Sequence, residues 1–159
     1  MNADAKKTTL RMIPYGLYVL TADDGKGTVG AATVNWVTQT AFAPPLIVVG
    51  IKKDSGSHAM VKDSGKFTIS FLETGQKKIA TSYFKHVEPV NGKFGEFAFE
   101  TGANGCPIIS DAPASVECDV VGFYELGDHS TVVGKVTEGH LKRDTKIMML
   151  SETGFNYGG

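Results

Sequence analysis

Cysteine is scarce in this chain. Cys106 and Cys118 have neither Cys-x-x-Cys spacing nor paired histidines beside them, which excludes zinc and tetrathiolate iron sites; no metal site is expected. Two free thiols in a cytosolic protein are favoured, although the spacing leaves a disulfide open. An excess of either charge is also missing. The formal net charge is -1, without the basic stripe that a nucleic-acid partner requires, so no nucleic acid is expected. The longest apolar run, residues 44–51, is the length of a strand and not of a membrane span. MNADAKK lacks an apolar stretch, so no signal peptide and no membrane association are expected, and the location reads as cytoplasmic. No GxGxxG follows a strand and no GxxxxGK[ST] occurs, which removes a dinucleotide-binding fold and a P-loop. The histidines at 58, 86, 129 and 140 are scattered and support no Ser-His-Asp or Cys-His arrangement.

Glycine, by contrast, is plentiful: 19 of 159 residues, a content that predicts tight turns between short strands. The length fits one domain with a sizeable core. Residues 2–7 read as a polar tail, after which Thr8 or Thr9 caps a short helix that Pro14 ends. Residues 15–22 and 28–34 form a hairpin around Asp23-Asp24-Gly25-Lys26-Gly27. Pro44-Pro45 stops the chain before an apolar strand, 46–51, expected to be buried on both faces. Ser57 is the expected N-cap of a helix over 58–64 that Gly65 closes. Residues 66–72 alternate as a half-buried strand, and 74–84 form a helix whose Ile79, Ala80, Tyr83 and Phe84 face the core.

Glycines and prolines break residues 86–111 into loops around one strand, 97–100. Residues 114–126 and 131–141 are long paired strands, with a bulge expected near Val121-Gly122. A last short strand is expected at 146–150. The fold class is mainly β, a Greek-key barrel with a few short helices. The domain is expected over 8–151, with tails at 1–7 and 152–159.

Two segments carry chemistry. Thr33-Val34-Asn35-Trp36-Val37-Thr38-Gln39 sets amide and hydroxyl groups beside an indole, as the polar edge and apolar face of an isoalloxazine ring require. Its plainer reading is a polar connection whose Trp36 packs into the core. Lys52-Lys53-Asp54-Ser55-Gly56-Ser57-His58 brings two ammonium groups and two hydroxyls to a helix N-terminus, a setting for a phosphate. The plainer reading there is an ordinary capping loop with solvated lysines. His129, in Gly127-Asp128-His129-Ser130, sits at a strand-to-strand turn. It either serves the turn or assists at a nicotinamide or a reduced flavin.

These segments, with Pro14-Tyr15-Gly16-Leu17-Tyr18-Val19-Leu20-Thr21, Phe42-Ala43-Pro44-Pro45-Leu46, Ser64-Gly65-Lys66-Phe67 and Gly127-Asp128-His129, occur in the order found in flavin reductase-like proteins. The chain resembles that FMN-binding split-barrel family over roughly residues 10–150. It is most similar to the branch fused to rubredoxin or to flavodiiron proteins. The resemblance implies a Greek-key split β-barrel and FMN rather than FAD. It also implies an NAD(P)H:flavin oxidoreductase using NADH or NADPH, in which hydride passes from the nicotinamide to the flavin.

It further implies that Thr33, Val34, Asn35, Trp36, Val37 and Thr38 hold the flavin ring and ribityl chain. Lys52, Lys53, Ser55, Ser57 and His58 hold the phosphate, Phe84 and Lys85 lie near the flavin, and His129 is the catalytic position. A homodimer with flavin at or near its interface is implied, with a redox protein as acceptor or donor. The bulk of Trp36 leaves an FMN electron-transfer protein, or a flavin-binding protein with little turnover, as the alternatives.

Overall fold

The computed structural model describes residues 1–159. Seven strands form one antiparallel sheet: β1 (Tyr18–Asp23), β2 (Val29–Val34), β3 (Val37–Ala41), β4 (Leu46–Lys52), β5 (Lys66–Phe71), β10 (Ala114–Tyr124) and β11 (His129–Leu141). Their order is β2-β1-β5-β10-β11-β4-β3, and the long crossovers into β5 and β10 give it Greek-key character. The two edge strands, β2 and β3, are consecutive in sequence, with only Asn35 and Trp36 between them. One dipeptide therefore joins opposite edges, which forces the sheet to curl into a barrel left open along that seam. The backbone N–H of Gly50 donates to the Trp36 carbonyl at 2.9 Å, tying the dipeptide to β4.

The second sheet is small: β6 (Pro89–Val90), β7 (Lys93–Phe94), β8 (Phe97–Thr101) and β9 (Pro107–Ile109). It organises most of the region read from sequence as loops around a single strand. It also corrects the half-buried reading of β5, because Thr68 and Ser70 are as buried as Phe67 and Ile69. Phe67 and Ile69 join Leu20, Val49, Val61, Cys118 and Val132 in the barrel core. Thr68 and Ser70 are covered by the loop and β9, where Asn104 Nδ2 donates to Thr68 Oγ1 at 3.4 Å and Ile109 N–H to Ser70 Oγ at 3.1 Å. A second core beyond that face gathers Leu17, Val19, Leu72, Ile79, Tyr83 and Phe94.

Several boundaries differ from expectation. The helix expected from a Thr8 or Thr9 cap begins earlier and takes in most of the expected tail: α1 (Ala3–Arg11) is capped by Asn2, whose side chain accepts from Ala5 N–H at 3.0 Å, and all of it is exposed. β4 is not buried on both faces: Ile47, Val49 and Ile51 point inward while Leu46, Val48 and Gly50 are only partly covered. α2 (Gly56–Ser64) is capped by Ser55 and not Ser57, because Ser55 Oγ accepts from His58 N–H at 3.2 Å. Gly65 closes it at φ 67, a left-handed conformation natural to glycine. α3 (Lys77–Ser82) is shorter than predicted, and Phe84 lies outside it and exposed. β10 carries the expected bulge at Val120/Gly122 and another at Glu117/Cys118.

The strand expected at 146–150 is reduced to isolated bridges, Glu73 with Ile147 and Gly16 with Met149, followed by a 3-10 turn, Leu150–Glu152. No helix is long and apolar enough to cross a membrane.

Candidate functional site

A cavity of about 550 Å³ opens at the seam where β2 and β3 separate. Its volume lies within the range of small-molecule and cofactor sites. Thr33, Val34 and Asn35 form one wall, at the end of β2. Thr33 is locked there: its hydroxyl donates to the Ala80 carbonyl at 2.6 Å and its N–H to the Tyr83 carbonyl at 3.2 Å. Lys52 and Ser55, leading into α2, form another wall, with His129 at the start of β11 beside them. β11 pairs with β4 so that His129 faces Lys52, which is how turns far apart in sequence meet at one rim. Phe84 closes a further side and packs edge-on against Phe155, with ring centroids 5.1 Å apart.

The remaining predicted residues lie outside the cavity wall. Trp36 packs behind it, over Gly50, with its ring 4.6 Å from that of His129 and 5.5 Å from that of Tyr157. The plainer reading of Trp36 as a packed indole thus describes its position. Val37 pairs with Val49 and joins the barrel core, and Thr38 on β3 is exposed. The Lys53 ammonium donates to the Glu125 carbonyl at 2.9 Å, which commits it to the β10–β11 end. Ser57 is buried in the first turn of α2, and Lys85 is exposed.

His58 is a core histidine. Its Nε2 lies 2.8 Å from Ser130 Oγ, and its ring meets Phe123 edge-on. Burial pushes its pKa down, against the pull of Glu125 and with help from the charges of Lys62 and Lys53, which favours a neutral ring.

His129 is held at both ring nitrogens. Nδ1 lies 3.1 Å from Asp128 Oδ1, and Nε2 lies 2.7 Å from the phenol oxygen of Tyr157. A carboxylate only accepts, so the proton sits on Nδ1, and a neutral ring offers Nε2 as acceptor to the tyrosine O–H. Tyr157, Phe155 and Asn156 all line the cavity, although they fall in the segment expected as a tail. Tyr83 lines it as well, and its hydroxyl is buried with no partner in the chain; so is the indole N–H of Trp36. Burial and then the Asp111 charge push the Tyr83 pKa up to about 12, keeping that hydroxyl a donor. An aromatic pair in a glycine-rich tail was the one sequence signal for Phe155 and Tyr157.

Both cysteines are free and buried. Burial pushes Cys106 up to about 11 and Cys118 up to about 12, so neither is a thiolate at neutral pH.

The seam-side cavity carries amide, hydroxyl and aromatic groups on one side and a lysine and a capped helix on the other, groups able to meet a planar ring and an anion. The flavin reductase like domain matches residues 10–159, and the chain belongs to that family. Diflavin flavoprotein A 1 of Synechocystis sp. is 33% identical over 144 residues, covering 90% of this chain. The chain spans only 25% of that relative's length. The solved structure of BorF, the flavin reductase component of a bacterial two-component tryptophan halogenase, superposes with a TM-score of 0.82 at 25% identity, over 99% of this chain and 98% of that one. The NADH:FAD oxidoreductase SgcE6 of Streptomyces globisporus, solved with NAD and FAD fragments, gives 0.79 at 28% identity, over 91% and 86%.

Proposed function

We propose that the cavity binds FMN and that the protein is an NAD(P)H:flavin oxidoreductase. The observation that carries this reading is the cavity itself, where the backbone-rich Thr33–Asn35 wall meets Lys52 and the Ser55 cap. Two buried donors without partners, Tyr83 Oη and Trp36 Nε1, lie at or beside it, and a polar ligand offers such groups an acceptor. The residues present therefore fit a flavin. When bound, the flavin supplies two-electron chemistry, accepting hydride from the reduced nicotinamide.

The chain's own residues position and screen. Thr33, Val34 and Asn35 frame the ring edge. Lys52 and the free N–H groups opened by Ser55 at the start of α2 offer positive potential for the phosphate. Phe84 and Phe155 shed water from the site. His129, oriented by Asp128, stands at the rim with Nε2 engaged by the Tyr157 hydroxyl. We further propose a homodimer: β3 is an exposed sheet edge, and Phe42 in the turn that follows is 91% exposed, features that a second copy would cover. Fusion partners in relatives such as the diflavin flavoproteins support a redox protein as electron acceptor or donor.

The test is spectroscopic. Protein loaded with FMN or FAD is mixed anaerobically with NADH or NADPH, and flavin bleaching is followed. Fast bleaching of FMN is expected. Tight flavin binding without bleaching by either nucleotide would favour an electron-transfer protein, and no flavin binding would end this reading.

A further inference from the structure

We propose that residues 153–159 form a strap across the cavity, with Tyr157 as its latch, and that the strap opens when a second planar ring enters. The nature of that ring, the nicotinamide of the reductant, rests on the flavin reductase reading. The latch itself rests on geometry.

The strap divides space that would otherwise be continuous. Phe155, Asn156 and Tyr157 wall the 550 Å³ cavity on one side and a second cavity of about 280 Å³ on the other. The second cavity is completed by the chain from Arg11 to Tyr15. Moving these strap residues aside would join the two spaces into one long cleft, suited to more than one ring.

The strap is anchored at its base, where Lys77 Nζ donates to the Thr153 carbonyl at 2.7 Å and lies 4.7 Å from the Phe155 ring, and held by side chains rather than a ladder toward its far end. Its last backbone–backbone hydrogen bond is from Thr153 N–H to the Leu150 carbonyl at 3.1 Å. Beyond that point side chains do the fastening. Asn35 Nδ2 donates to the Tyr157 carbonyl at 3.3 Å, and Arg11 Nε to the Gly158 carbonyl at 2.9 Å. The Tyr157 phenol reaches His129 and stacks obliquely on Trp36. A segment with no ladder and a half-exposed anchor belongs to the low-stability end of a fold.

Closure has a cost at Trp36, whose buried N–H finds no acceptor. A β-carbon on Gly158 would lie 3.9 Å from that nitrogen, so the strap backbone passes beside it. An incoming ring replaces what Tyr157 gives up. Its face takes over the aromatic contact, and a carboxamide N–H can donate to His129 Nε2 in place of the phenol O–H. The strap is thus an occupant exchanged for ligand, and the open fraction scales the apparent affinity.

Trp36 is the only tryptophan, so its fluorescence reports the strap directly. Acrylamide quenching of ligand-free wild type, Tyr157→Phe and Tyr157→Ala is compared, then steady-state NADH oxidation with FMN. Tyr157→Ala is expected to at least double the quenching constant, and to lower KM for NADH by roughly three- to ten-fold with little change for FMN. Tyr157→Phe, which keeps the ring, should fall between, with an unchanged fold by circular dichroism. Quenching in Tyr157→Ala equal to wild type overturns the strap. Increased quenching with a raised KM for NADH overturns the latch, since Tyr157 would then be a contact for the ring and not its obstacle. Absence of flavin reduction by either nucleotide in every variant removes the nicotinamide reading, while quenching alone still decides the strap.

Discussion

A β-carbon on Gly50 would stand 2.9 Å from Cε3 of Trp36 and 3.2 Å from its Cβ, so the indole rests where β4 has no side chain. The Gly50 N–H to Trp36 carbonyl bond prevents the two backbones from parting to make room. Gly50→Ala should therefore shift the indole, destabilise the protein by about 1–3 kcal/mol as overpacking does, and move Trp36 emission. Urea denaturation and emission spectra check this. A wild-type midpoint with unaltered emission would mean the seam is looser than described.

The two lysines at 52 and 53 should separate sharply. Lys52 lines the cavity and shares only an exposed pair with Asp54 at 3.2 Å, whereas the Lys53 ammonium is committed to the Glu125 carbonyl. Lys52→Ala is expected to weaken FMN binding by about 1–3 kcal/mol, the scale of a charge-assisted hydrogen bond. Lys53→Ala should leave the affinity nearly unchanged. Fluorescence titration with FMN reads both, and a reversed order would place the phosphate elsewhere.

Glu117 is fully buried and staples the loop over β5. Its carboxylate accepts from Ala103 N–H at 3.1 Å, Asn104 N–H at 2.6 Å and His140 Nε2 at 2.7 Å. Burial alone would raise its pKa. The Asn104 N–H, His140 and the Ala103 N–H outweigh that and hold it below the usual carboxylate range. A lowered folded pKa means its stabilisation is present above about pH 4.3 and is lost as pH falls through the folded value. Glu117→Ala should cost about 1–3 kcal/mol at neutral pH, because it removes the acceptor shared by three partly covered donors. Denaturation midpoints from pH 7 to 3 should fall less steeply in Glu117→Gln than in wild type; parallel profiles would assign the acid sensitivity to other groups.

His58 predicts a second window at higher pH. Its folded pKa is lowered, chiefly by burial, so below about pH 6.5 the unfolded chain binds a proton that the folded chain does not. Stability should rise with pH between the lowered folded value and about 6.5, then level off. His58→Gln should flatten that stretch of the curve in thermal melts between pH 5 and 7.5. If its slope matches wild type, another histidine carries the effect.

Much of the barrel was legible because its signals are local. The Asp23–Gly27 turn, the Pro44-Pro45 stop, the Gly65 closure and the bulge at Val120/Gly122 each follow from a few adjacent residues. Burial of β5 on both faces was not legible, since Thr68 and Ser70 alternate like a solvent face until β9 and Asn104 cover them. The site divided in the same way. Thr33, Asn35, Lys52, Ser55 and His129, singled out from residue types beside turns, line one cavity. Lys53 and His58 looked equivalent to their neighbours, yet their side chains turn to Glu125 and Ser130, each 72 residues away in the chain.

The sequence by itself determined the strand-and-turn pattern, the capped helix after a basic loop, and family membership through motifs in order, because period and turn chemistry act over a few residues. Only the tertiary structure decided which of those residues share a cavity. Curling the sheet puts Asn35 and Trp36 at the seam, and it brings Tyr157 onto His129 across 28 residues. Such pairings depend on which strands meet and on which groups burial leaves without partners, and no local pattern encodes either.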